Sequence, residues 1–444
     1  MAEPIEVAGI RFWRCAEASV PPIDVGRLAE LVADLEAGRL ANRKSGRRKE
    51  LYAVALGEGG APDHLLKVNR YTGLDAWLHR LRGSKARREV VRAREVARRG
   101  IPTPLPVAWG ERSAGGRLRA CFLLVPLLRD AADLEVLERD ASLAARERRA
   151  LARAFGALSR RAHDAGVFQD DFAPNNFLAR RGAPPELWMI DFERVRLRRS
   201  SVSERARLHM LGKLERRLPG ARAAERVDFL TAYEAGDRGL LRARWHALAE
   251  QAPRLARRDL ARLARTTASG GRRYAPLRAE GVEGWARRDA PLAALLATDG
   301  GGTCAWRISR PGLRSARGRE LWAVANLLWL RGLAPRPLAC LVRGDGVELC
   351  LSRAPEETLL GELAAPERVR AALATLVGRL LALGSLEAVP TPSEIVLAPG
   401  ARGGATALLM TPDRLRVGAA APPQERLALA RRVTREILER CAPS

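Results

Sequence analysis

The sequence predicts an α+β fold of two lobes, a small antiparallel sheet carrying one helix and then a larger helical lobe, with a second, truncated version of the same arrangement behind it. Three observations carry that expectation. Short β-like runs alternate with polar turns between residues 38 and 124 and enclose a capped helix. From Leu134 to Ala165, and again over residues 201–265, the apolar spacing is mainly helical. After a polar, glycine-containing break at Thr266 to Arg272, the succession of strand, helix, proline strap and strand starts again. This divides the chain into residues 1–265 and 266–444.

Composition bounds what such a chain does. With 444 residues, 47% of them apolar, there is material for two packed cores. The longest apolar runs, such as Cys121 to Leu128, fall far short of a membrane span, and the opening Met-Ala-Glu-Pro-Ile-Glu is not a cationic leader. A soluble, unexported protein is expected, cytoplasmic or peripheral at the inner face of the membrane. Six cysteines, Cys15, Cys121, Cys304, Cys340, Cys350 and Cys441, show neither CxxC nor zinc-ligand spacing and read as reduced packing residues. The formal charge of +26 points to a polyanionic partner: nucleic acid, an anionic membrane face or a phosphorylated glycolipid. Yet of the 77 basic residues only Lys44, Lys49, Lys67, Lys85 and Lys213 are lysines, so an arginine-for-lysine drift explains the excess equally well. Aromatics make up 5% of the chain and do not interleave with the arginines, so no specific nucleic-acid partner is expected.

Taken in order, residues 1–37 hold two short helical candidates, of which Asp24 to Ala37 is amphipathic and capped by its aspartate. Gly38 to Gly46 followed by Glu50 to Leu56 reads as strand, polar turn and strand, with room for nucleotide phosphates under the turn near Ser45 and Gly46. It is not a GxGxxG loop. Lys67 lies in His64-Leu-Leu-Lys-Val-Asn-Arg70, framed by apolar neighbours in a chain that otherwise avoids lysine. A compact point charge suits the mouth of a phosphate site; the alternative is a strand lysine that merely snorkels. The helix from Ser84 to Gly100 has a serine cap and a glycine end, and offers Glu89 and Glu95 as carboxylates to pair with Lys67, with Glu89 favoured. Ile101-Pro-Thr-Pro-Leu-Pro106 forms a stiff strap. A strand pair, Pro106–Trp109 and Leu118–Leu124, then runs into an extended apolar segment from Val125. An adenine would meet backbone groups there, at Val125 and Leu127; read alone it is a buried strand. The helical stretch from Leu134 ends at His163-Asp-Ala-Gly166, where His163 reads as structural or as a brace for the loop that follows.

That loop concentrates the chemistry. Asp171 stands five residues before Asn176, and Asp191 lies in the strand-like run Leu187-Trp-Met-Ile-Asp-Phe192. In kinase-fold enzymes this spacing supplies a base for the acceptor hydroxyl, an amide ligand for one Mg²⁺ and a carboxylate on the ions that bridge the phosphates of ATP. Asp170 is adjacent to the base position, and the spacing to Asn176 decides for Asp171.

Residues 38–200 resemble the Kdo/WaaP lipopolysaccharide kinase family, bacterial relatives of the protein kinases. The resemblance rests on Leu-Leu-Lys67, the Arg88-Glu89 helix ending in Arg-Arg-Gly-Ile-Pro-Thr-Pro, the Phe122-Leu-Leu-Val125 strand, His-x-x-Gly, Asp171-x4-Asn176 and Ile190-Asp191-Phe192. It implies a bilobal protein-kinase-like fold in which Asp171 is the catalytic aspartate, Asn176 and Asp191 hold Mg²⁺, Lys67 contacts the phosphates, Glu89 is its helix partner, and Val125 to Leu128 form the hinge. It also implies a sugar hydroxyl of lipopolysaccharide core, or of a related envelope glycolipid, as acceptor. Two positions depart from the pattern: Gln169 stands where the family usually has a loop-bracing histidine, and Glu193 where protein kinases have the glycine of DFG. The competing expectations are a non-catalytic nucleotide-binding scaffold and a kinase acting on protein serine or threonine.

The second half repeats the first in register. Glu89 precedes Pro104 and Pro106 by 15 and 17 residues, and Glu320 precedes Pro335 and Pro337 by the same amounts. Its polar positions are lost: Arg307 stands for Lys67, Val389 for Asp171, Glu394 for Asn176 and Thr411 for Asp191. A truncated, pseudokinase-like copy is expected, serving to extend an acceptor groove or only to bury an exposed face.

Overall fold

The computed structural model describes the chain apart from residues 1–2, 16–23, 46–48, 57–60, 219–220, 272, 280, 297–304, 345, 364–368, 400–404 and 442–444. Gly46 and Cys304 therefore lie outside the described residues. The chain forms two compact units: 1–138, 144–210 and 222–237 in the first; 139–143, 211–221 and 238–444 in the second.

The first unit opens with β1 (Ile5–Val7), β2 (Ile10–Arg14), α1 (Val25–Glu36), β3 (Asn42–Ser45), β4 (Lys49–Val54), β5 (His64–Arg70), α2 (Leu74–Arg82), α3 (Lys85–Arg98), β6 (Ala108–Ala114) and β7 (Arg117–Pro126). Seven strands form one antiparallel sheet in the order β1-β2-β6-β7-β5-β4-β3. The first of the two helical candidates in residues 1–37 is thus corrected to a hairpin. Val7, Ile10 and Phe12 alternate into the core, and period-two burial outweighs a helical reading of so short a run. Alternation also gives β5 two useful faces. Leu66 and Val68 pack with Phe12, Phe122 and the α1 residues Leu28 and Val32. Lys67 points to the opposite face, where Leu65 meets Val90 of α3 and Leu123. Helix α3 is placed by its cap, for Ser84 accepts a hydrogen bond from the Arg87 amide at 3.1 Å, and it buries Ala86, Glu89, Val90, Ala93 and Val96 along one stripe.

The rest of this unit contains β8 (Ala131–Asp133), α4 (Leu134–Arg139), α5 (Ala145–Asp164), β9 (Val167–Gln169), β10 (Phe177–Arg180), β11 (Glu186–Met189), β12 (Val195–Leu197), the first half of α6 (Glu204–Arg217) and α7 (Ala223–Tyr233). Phe155 of α5 packs against Phe172, Phe177 and Phe229, tying the chemical loop to the α5–α7 pair. Strands β11-β10-β8 and the ribbon β12-β9 frame that loop. The fold is α+β.

The second unit contains α8 (Arg238–Ala268), β13 (Tyr274–Ala279), β14 (Val282–Arg287), α9 (Leu292–Leu296), β15 (Ala305–Pro311), α10 (Ser315–Leu330), β16 (Pro337–Arg343), β17 (Gly346–Ser352), β18 (Thr358–Leu359), α11 (Arg370–Leu383), β19 (Gly384–Leu386), β20 (Ile395–Pro399), β21 (Ala405–Leu409), β22 (Leu415–Val417) and α12 (Pro423–Glu439). Helix α8, read from sequence with the first half, runs through residue 265 unbroken and packs on α10 and α11 of this unit. Its Ala256 sits in the cluster with Leu328, Leu373 and Leu376, and Leu263 meets Ala323 and Leu327. The strand orders are β13-β14-β16-β17-β15, β18-β20-β21 and β19-β22. Each matches an order in the first unit, β1-β2-β6-β7-β5, β8-β10-β11 and β9-β12, and no counterpart of β3 and β4 occurs among the described residues.

Candidate active site

The site is built on four elements of the first unit. From β5, Lys67 lies between buried Leu66 and Val68 and reaches across to α3, donating to Glu89 Oε1 at 2.6 Å. Both side chains are largely buried. Glu95, the other carboxylate of the helix, instead accepts from Arg99 one turn on, at 2.9 Å. Burial works against the Lys67 ammonium, but the carboxylates of Glu89, Asp191 and Glu193 outweigh it and hold its pKa above the usual lysine value.

The third element is the chemical loop between β9 and β10. The Asn176 side-chain amide donates to the Asp171 carbonyl at 2.6 Å, closing the loop on itself and leaving Asp171 partly exposed at its tip. Asp170 points elsewhere, its carboxylate meeting Arg196 at 2.7 Å. The fourth element is the turn after β11. The Ile190 amide donates to the Asn176 carbonyl at 2.8 Å, so Asn176 and Asp191 come to the same end of the β10–β11 hairpin. Asp191 has a left-handed backbone, φ 59°, which aspartate adopts more readily than most non-glycine residues. Gln169 is buried, and its Nε2 donates to the Asp191 carbonyl at 3.1 Å. Where a histidine was expected, an amide makes this contact. Burial raises the Asp191 pKa, but Lys49 and Lys67 more than offset it, so the carboxyl titrates below the usual aspartate range and is ionised at neutral pH.

His163 is fully buried and its Nδ1 lies 2.7 Å from the Tyr233 hydroxyl, while burial raises that phenol to about 12. It fastens α5 to α7. Val125 is buried in β7, paired with Leu65, and the Leu127 amide donates to the Asp63 carbonyl at 2.8 Å. That amide is therefore already engaged within the protein.

Three residues of the site went unassigned in the sequence reading. Lys49 Nζ is 3.4 Å from Asp191 Oδ2, Lys85 meets Glu193 at 2.9 Å, and Arg92 donates to the Phe192 and Glu193 carbonyls. The scarcity of lysine was a signal for the first two. Together with the Lys67–Glu89 pair, the contacts from α3 fix that helix to the turn bearing Asp191.

Among the described residues no three His, Cys, Asp or Glu side chains gather as a metal cage. An amide and an ionised carboxylate at one end of a hairpin are nevertheless the donor set that suits Mg²⁺, which takes one or two protein oxygens and fills its octahedron with phosphates and water.

Residues 46–251 match the model of the lipopolysaccharide kinase (Kdo/WaaP) family. No curated protein matches. Among solved structures, one titled "WaaP in complex with acyl carrier protein" is similar at 23% identity over 49% of this chain and 88% of that one, with a TM-score of 0.37. The matched stretch, just under half of the chain, carries every residue of this site, and the family it matches is one of kinases.

Proposed function

We propose that this chain transfers a phosphoryl group from Mg²⁺-bound ATP to a sugar hydroxyl of lipopolysaccharide core or a related envelope glycolipid. The observation that carries the reading is the Lys67–Glu89 contact of 2.6 Å on the face toward Asp191, because it aims a buried cation at the place where phosphates are needed. When bound, the metal neutralises phosphate charge. The chain's own residues do the rest. Lys67, held by Glu89, binds phosphate oxygens; Asn176 and Asp191 hold the metal; Asp171 at the loop tip takes the proton of the attacking hydroxyl. Catalysis is then chiefly positioning and charge stabilisation. The net charge of +26 suits a peripheral encounter with the anionic face of a membrane, where a glycolipid acceptor resides.

Residues 266–444 read as a degenerate copy. The matching strand orders support this, as do two ion pairs at changed positions, Arg307 with Glu348 at 3.0 Å and Glu394 with Arg414 at 2.9 Å, and the burial of Thr411.

ATP turnover with Mg²⁺, measured for wild type beside Asp171→Ala and Asp191→Ala, tests the enzyme. Both variants are expected to lose about 10²–10⁴-fold in kcat. Nucleotide binding without turnover in any acceptor mixture would replace this reading by that of a scaffold. Label on protein serine or threonine, with none on glycolipid, would overturn the acceptor.

A further inference from the structure

Lys49 opens β4. In the β4–β5 register Leu51 is opposite Lys67 and Lys49 opposite Asn69. Cross-strand partners share a face and alternate residues return to it, so Lys49 and Lys67 are diagonal neighbours on the face turned toward Asp191. Their ammonium groups have different partners. Lys67 is largely buried on Glu89 at 2.6 Å, whereas Lys49 is 44% exposed and holds Asp191 at 3.4 Å, a loose and solvent-accessible pair. Composition adds an independent point. Only five of the 77 basic residues are lysines, and three of those five, Lys49, Lys67 and Lys85, form ion pairs at this one site. A compact ammonium on a flexible stem leaves a carboxylate more readily than a planar guanidinium fork, although either carries the charge a phosphate attracts.

We propose that Lys49 is a second phosphate-binding cation of the nucleotide site, resting on Asp191 in the free protein and passing to the phosphates when that carboxylate is engaged by the nucleotide's metal. The loose contact keeps the Asp191 carboxylate neutralised without locking it, and the diagonal placement beside Lys67 puts two cations over one anionic ligand. This inference rests on the nucleotide site proposed above.

The test is calorimetric titration of the full chain with MgATP, for wild type, Lys49→Met and Lys49→Arg, alongside the melting temperature of each without nucleotide. Lys49→Met is expected to weaken MgATP binding about tenfold or more, while its nucleotide-free melting temperature stays within about 2 °C of wild type, as losing an exposed pair should. Lys49→Arg is expected to recover part of the lost affinity. If Lys49→Met binds MgATP within about twofold of wild type, or if Lys49→Arg is as weak as Lys49→Met, Lys49 does no more than neutralise Asp191 and the inference is wrong. Wild type that binds no nucleotide at all would instead sink the function proposed for the site, and this inference with it.

Discussion

At the scale of the residue, what distinguishes this site is which carboxylate each cation finds. Glu89 and Glu95 lie six positions apart on one helix, and the sequence offered both to Lys67. The structure separates them: Glu89 is on the buried stripe facing β5, and Glu95 is turned to Arg99. Glu89→Gln leaves a buried ammonium without its ionised partner, at a cost of about 1.5–3 kcal/mol to the aimed Lys67 geometry. The KM for ATP should rise about tenfold or more, whereas Glu95→Gln, which removes a pair that does not involve Lys67, should leave it within about twofold. Steady-state kinetics on the two variants decides the assignment. Gln169 makes the complementary point. A changed residue type looked like a threat to the loop, and the folded chain shows that an amide reaches the Asp191 carbonyl as an imidazole N–H would.

At the scale of the element, the site depends on how closely α5 approaches α7. Gly156 lies where an added Cβ would fall 2.1 Å from the Phe229 carbonyl oxygen. No rotamer relieves a clash with backbone, so Gly156→Ala forces the helices apart and loosens the contact between Phe155 and Phe172 that seats the chemical loop. A loss of about 1–3 kcal/mol in unfolding free energy is expected, read from denaturant titration followed by a probe in the first unit. The β1–β2 hairpin teaches the opposite lesson. Ten residues with apolar groups at alternate positions suffice for either structure on paper, and only the presence of β6 as a hydrogen-bonding neighbour made them strands.

At the scale of the whole molecule, the chain divides where burial divides it. The polar break at 266–272 is visible in the sequence, but α8 buries Leu255, Ala256 and Leu263 within the second unit. A chain ending at Arg265 therefore carries a helix stripped of its packing partners and is expected to elute in size-exclusion chromatography as associated species. One ending at Asp237 omits that helix and is expected to associate less. Equal behaviour of the two would show that the apolar face of α8 has no such need for cover.

The sequence by itself determined the α+β class, the lobe order, the loop of Asp171 and Asn176, the Lys67 strand and its capped helix, because each is written in local spacing: alternation, a cap, a strap of prolines, an x4 interval. Tertiary structure alone decided the rest. Glu89 rather than Glu95, Lys49 on Asp191, Arg92 on the turn and α8 in the second unit are outcomes of which faces meet across long stretches of chain. Charge and apolarity are properties of a residue, but a partner is a property of the packing, and no spacing along the chain records it.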